Sequence, residues 1–264
     1  MLPTDPAALP LLHAGHIEVT SRIVDASNAT LFCTVHCDGA SASAVYKPIR
    51  GERPLWDFPD GTLAGREVAS WLLSEATGWS LVPPTVLRAG PLGPGMLQLW
   101  VDTERAHDLV DVVPLDAVPN GWRRVLRAHD RFGEPALLVH ADTEGLRRLA
   151  VLDVLLNNAD RKGGHVLAGR DGAVYGVDHG ICLHHEDKLR TVLWGFLGEP
   201  LPTGVLAVLR RVRSKLDGKL GTALTEHLTS REVQAVRMRT EQLLATQAFP
   251  APNGNWPAIP WPAF

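Results

Sequence analysis

The stretch 149–183, LAVLDVLLNNADRKGGHVLAGRDGAVYGVDHGICL, constrains this chain more than any other. Leu146, Leu149, Ala150, Leu152, Val154, Leu155 and Leu156 predict an apolar helix, which Asp142 or Thr143 can cap and which the Asn157-Asn158 pair ends. Asp160 therefore stands just beyond a buried helix. Residues 165–168 and 173–177 read as strands, and Gly169-Arg170-Asp171-Gly172 between them supplies the residue types a hairpin turn needs. Each strand spans roughly 15 Å at strand rise, so the hairpin returns Asp178 to the loop that holds Asp160 and His165. Two carboxylates and an imidazole then share one mouth. Such a cluster is costly without a cation, because neighbouring carboxylates repel, and a divalent metal removes the cost. By themselves the same residues also suit a polar helix terminus and an ordinary strand end, so the spacing leaves both readings open.

The rest of the chain bounds what surrounds this stretch. With 264 residues, 45% hydrophobic and 21% charged, it can bury a large core as one domain or two lobes. A net charge of -3 gives no general case for binding nucleic acid or an anionic membrane. No apolar run approaches a spanning helix, and the N-terminus lacks a basic region followed by an apolar one, which places the expected protein in the cytoplasm. Cys33, Cys37 and Cys182 are odd in number and lack zinc-type spacing. On a strand Cys33 and Cys37 face one way and His36 the other, which argues against a metal site there.

In chain order, residues 1–15 are Pro- and Ala-rich and read as an arm or short helix, followed by strands at 17–24, 30–37 and 43–49. The turn at 25–29, with Ser27 and Asn28, suits a bound phosphate and equally an ordinary hairpin. Lys47 sits at a strand end among apolar residues and needs a partner or water. Glu67, on the edge of a helix over 63–77 that Gly78 stops, is the candidate. Strands at 82–87 and 96–101 complete a small N-terminal half. The composition changes at Asp102, where the lobe boundary is placed, giving 16–101 as one lobe and 102–264 as the other. Residues 122–132 precede the central helix. Two short helices follow it, then a longer one opened by the capping box Thr229-Ser230-Arg231-Glu232. The ending APNGNWPAIPWPAF is too Pro-rich for helix or central strand and is expected to pack back on the body. No P-loop, Rossmann glycine motif, G-x-S-x-G or H-E-x-x-H occurs.

Taken together, the order of the Ser27-Asn28 turn, VYKP with Lys47, Glu67, LVPPT, LQLWV, VLDVLLNNADR and GVDHGICL resembles the phosphatidylinositol 3-/4-kinase superfamily over about residues 16–200. It is most similar to the type II phosphatidylinositol 4-kinases and their bacterial relatives. The resemblance implies an α+β, two-lobed, protein-kinase-like fold, with a small antiparallel sheet in the N-lobe and a mainly helical C-lobe. It implies ATP with Mg2+ or Mn2+, and γ-phosphate transfer to a hydroxyl acceptor that is lipid, small molecule or protein. Lys47 would contact the α- or β-phosphate with Glu67 positioning it. Ser27 and Asn28 would lie at the phosphates, and Trp100 and Val101 would offer backbone groups to adenine. Asp160 would orient or deprotonate the acceptor, and Asp178 would hold the bridging metal. One position departs from the family: where Asn usually supplies a second metal ligand, five residues after the catalytic Asp, this chain has His165. Imidazole favours softer ions such as manganese, and it must be neutral to bind, so metal-dependent activity is expected to fall below about pH 6.5. The distantly similar HipA-type protein kinases and a nucleotide-binding pseudokinase scaffold are the competing expectations.

Overall fold

The computed structural model describes residues 1–23, 28–103 and 109–264. After a short helix α1 (Ala8–Ala14) come three strands, β1 (His16–Arg22), β2 (Leu31–Cys37) and β3 (Ala40–Pro48). Helix α2 (Leu63–Thr77) follows, then β4 (Thr85–Gly90) and β5 (Gly93–Leu99). The five strands form one antiparallel sheet in the order β1-β2-β3-β5-β4. Alternation sets its faces: Cys33, Val35, Ala44, Tyr46, Leu97 and Leu99 turn inward onto Leu11 and Leu12 of α1. Lys47, one residue after Tyr46, consequently projects from the opposite face. Thr62 caps α2 by accepting the Gly65 N–H, and Gly78, at φ 75°, ends it in the left-handed conformation that glycine tolerates best.

One face of α2, with Ala69 and Leu73, belongs to the large core of the C-terminal half, where it meets Leu81, Val82 and the helices of that half. Arg66 of α2 is fully buried. Its guanidinium donates to the Cys182 carbonyl at 2.8 Å and to Glu232 Oε1 at 2.6 Å, pinning the helix to the second half by charge-assisted bonds.

The C-terminal half does not begin as a helical lobe. Strands β6 (Val110–Pro114), β7 (Trp122–His129) and β8 (Pro135–Ala141) form an antiparallel sheet in the order β6-β8-β7, an addition the sequence did not announce to a half whose helices still outweigh its strands. The reason it escaped detection is burial. Central strand β8 is covered on both faces, Leu138 and Ala141 by the main core and Leu137 and Val139 by a small cluster with Val113, so no alternation marks it. The Arg residues of edge strand β7 make it read as a polar segment.

Helix α3 (Glu144–Leu156) follows, capped by the Thr143 hydroxyl, with Asn157 in the left-handed region at its end. A two-stranded hairpin, β9 (Val166–Ala168) and β10 (Val174–Gly176), returns the chain as its Gly-Asp turn implied. Helices α4 (Thr203–Leu216), α5 (Lys219–Leu224) and α6 (Ser230–Thr246) complete the half; α4, at 14 residues, is longer than the short helix expected. The last residues pack back. Thr191 N–H and the Trp194 indole both donate to the Ala258 carbonyl, and Gly163 N–H donates to the Ala263 carbonyl at 2.8 Å. Among the described residues no helix is long and apolar enough to cross a membrane.

Candidate active site

The two halves meet at Lys47. Its Nζ lies 2.7 Å from Glu67 Oε1 and 2.7 Å from Asp178 Oδ1, so one ammonium bridges the sheet, α2 and the loop after β10. Glu67 is 1% exposed, and its second oxygen accepts the His179 backbone N–H at 2.9 Å. Although burial opposes it, the carboxylates of Asp178 and Glu67 raise the Lys47 pKa, so this lysine stays charged. Lys47 in turn, against the effect of burial, holds Asp178 well below the usual carboxylate range. Asp178 also has a backbone φ of 60°, a conformation that costs a non-glycine residue of order 1 kcal/mol and is maintained by its surroundings.

Those surroundings centre on Arg161, which is 0% exposed. Its Nε and Nη2 donate to Asp153 of α3 at 3.0 and 2.9 Å. Nη1 donates to the carbonyls of His165 and Val177 at 3.2 and 2.9 Å, tying together the loops that carry Asp160 and Asp178. Asn158 completes the arrangement, donating to Asp153 and accepting the Asp160 N–H. Asp153, Asn158, Arg161 and His179 were not singled out from the sequence as site residues. A carboxylate inside an otherwise apolar helix, eight residues before an arginine, was the available signal, since a buried charge requires a partner.

Asp160 lines the same narrow cleft as Lys47, Glu67, Asp178 and Asn28. Burial raises its pKa, helped by Asp178 and opposed by Lys162, whose Nζ is 3.9 Å away. A carboxylate so placed is a better proton acceptor than a solvated one. His165 points its Nδ1 at the Asp160 carbonyl, 3.1 Å away, which makes Nδ1 the donor and leaves Nε2 unprotonated, 3.4 Å from Asp178 Oδ2. Burial pushes this imidazole down to about 4. The expected loss of its metal-binding form below about pH 6.5 is therefore corrected: the ring stays neutral well below that.

Among the described residues no three His, Cys, Asp or Glu side chains form a complete metal cluster. Asp178, whose side chain is 49% exposed, and the bare imidazole nitrogen it faces are the residues that would hold a divalent ion here, and two such donors suit an ion that takes its other ligands from elsewhere.

Other expected site residues fall differently. Ser27 lies outside the described residues. Asn28 lines the cleft, and its Oδ1 accepts the Arg53 N–H. The Trp100 N–H donates to the Ser43 carbonyl at 3.0 Å, so of its backbone groups the carbonyl is the one left for the expected role. Its ring stands edge-on to Phe32, and Val101 is buried. Neither residue lines the cleft at Lys47, whose free space is only about 50 Å³. A larger cavity of about 600 Å³ between α3, α6 and the C-terminal segment contains none of the cleft residues.

No family model matches the chain. Protein Rv2133c of Mycobacterium tuberculosis is 51% identical over 263 residues, covering 96% of this chain and 94% of the relative. This chain belongs to the Rv2133c family. Beyond that family, the rice phosphatidylinositol 4-kinase gamma 4 is 28% identical over 192 residues, 59% of this chain but only 29% of the rice protein. Among solved structures, the Helicobacter pylori proinflammatory kinase CtkA aligns over 89% of this chain and 93% of its own at 11% identity, with a TM-score of 0.43.

Proposed function

We propose that this member of the Rv2133c family is an ATP-dependent phosphotransferase that moves the γ-phosphate to a hydroxyl. One observation carries the reading: a strand lysine held by a helix glutamate and bonded directly to Asp178, with Asp160 in the same cleft, its pKa raised by burial and Lys162 no closer than 3.9 Å. Phosphoryl transfer needs positioned cations and a base rather than a covalent nucleophile. When the nucleotide enters, Lys47 exchanges Asp178 for α- and β-phosphate oxygens while keeping Glu67. Asp178 and His165 would hold a divalent ion, which would supply neutralisation of phosphate charge. Asp160 accepts the proton of the acceptor hydroxyl as its oxygen bonds to the γ-phosphorus and the bond to the bridging oxygen breaks, releasing ADP.

The partial likeness to a plant phosphatidylinositol 4-kinase supports an inositol-type lipid headgroup as the first acceptor class to test. The need for ATP fits a cytoplasmic location. The purified protein, given γ-labelled ATP with Mg2+ or Mn2+ and separate lipid, polyol and protein acceptors, is expected to label the lipid arm. Label in the protein arm alone assigns a protein kinase. Nucleotide binding with no label anywhere assigns the pseudokinase scaffold and overturns the enzyme reading.

A further inference from the structure

His179 is buried, charge-adjacent and so far without a role. It is 0% exposed, and its ring lies between two charged groups from different halves. On one side Arg161 Nη2 approaches Nε2 at 2.6 Å. A guanidinium only donates, so Nε2 must accept and the ring proton sits on Nδ1. On the other side Nδ1 lies 4.0 Å from Glu67 Oε2, beyond hydrogen-bond reach, and has no partner among the described residues. A buried donor left unpaired is rare and marks either a strained arrangement or a second state in which it is satisfied. The Arg161 guanidinium against Nε2 thus leaves the proton on Nδ1 as a single, directed donor.

The neighbours show what that second state is. Asp153, Arg161, His179, Glu67 and Lys47 form a continuous polar chain from α3 to β3, closed at Lys47 by Asp178. Glu67 is its joint: Oε1 is drawn to Lys47, Oε2 accepts the His179 backbone N–H and no other described donor, and Nδ1–H faces that same oxygen from too far. Withdrawal of Lys47 from Asp178 would carry Glu67 with it, since Oε1 is bonded to the same ammonium. We propose that His179 is a positioning residue whose Nδ1–H captures Glu67 Oε2 when the lysine turns to a bound triphosphate, locking α2 and Lys47 in the nucleotide-holding arrangement. The proposal rests on the reading that Lys47 receives the triphosphate.

The probe is the Mg2+ complex of a non-hydrolysable ATP analogue with imino-bridged β- and γ-phosphates. In the wild-type protein labelled with ¹⁵N-histidine, the His179 Nδ1–H resonance is expected to move downfield and exchange more slowly on addition of the probe, as a newly made hydrogen bond requires. His179→Gln keeps an amide near Nε2 and loses the Nδ1 donor. It is expected to fold, checked by its thermal transition, and to bind the probe about tenfold more weakly, the scale of one hydrogen bond to a charged group. His179→Asn, whose amide retains a donor near Nδ1, is expected to recover part of that affinity. Should calorimetry show probe binding while the Nδ1–H signal stays put, or should the proton prove to reside on Nε2, the positioning role is wrong and the Lys47 reading survives. Wild-type protein that fails to bind the probe at millimolar concentration overturns both.

Discussion

Lys47 Nζ and Asp178 Oδ1, 131 residues apart in sequence, are bonded directly at 2.7 Å, and the same ammonium is the only cation within 4.0 Å of the buried Glu67 among the described lysines and arginines. The residues proposed to bind phosphate and metal therefore neutralise each other in this structure.

Removing Lys47 has a cost beyond lost binding, because Glu67 would remain 1% exposed and uncompensated. Lys47→Met is expected to destabilise the fold by about 2 kcal/mol, less than for a fully buried pair, and to abolish nucleotide binding. Glu67→Gln added to it should restore most of the stability and none of the binding. Urea melts of the two single variants and the double give the coupling; additive losses would sink the pairing.

Asp160 touches no cation closer than Lys162 at 3.9 Å, so its amide variant leaves no charged partner stranded. Asp160→Asn is expected to keep the melting temperature and nucleotide affinity while lowering phosphate transfer by about 10²-fold or more, the scale of a lost general base. Transfer measured beside nucleotide titration checks this, and a variant with full turnover removes Asp160 from the mechanism.

The unprotonated Nε2 of His165 beside Asp178 predicts that manganese supports transfer better than magnesium. His165→Asn should reverse that order, since an amide oxygen suits the harder ion. Rates with each metal for both proteins are the measurement; an unchanged ratio excludes His165 as a ligand.

Stability should fall as the pH drops below about 6.5. His140 illustrates the sign. Its Nδ1 donates to the Ala141 carbonyl and its Nε2 accepts the Gly195 N–H, so the folded ring is neutral, and burial lowers its pKa. His179 and His184 are lowered by burial in the same direction. Below the ordinary histidine value the unfolded chain binds protons that the folded chain cannot, which favours unfolding until the lowered folded values are reached. Thermal melts from pH 8 to pH 5 should show a falling transition temperature, and a flat profile would contradict the buried neutral rings.

Gly163 sits under the ring of Phe264, which a Cβ built there would strike. Gly163→Ala is expected to displace this ring at small cost in stability, because a half-exposed side chain can swing away. Faster proteolytic trimming of the C-terminal segment with a nearly unchanged melting temperature is the expected result.

What the amino-acid sequence determined by itself is local. The apolar run of α3, its Thr143 cap, the Asn157 stop and the turn at Gly169–Gly172 follow from side-chain spacing and from residues that tolerate unusual backbone angles, and these place Asp160 and Asp178 at neighbouring loop ends. Which groups then pair is a matter of distance across the fold. The choice of Asp178 as second partner of Lys47, the Arg161 hub, the orphaned Nδ1 of His179 and the loss of the Trp100 N–H to Ser43 each depend on segments that meet only after packing. Strand β8 shows the same limit in the core: covered on both faces, it carries no period for a sequence to display, and only its neighbours reveal that it is a strand.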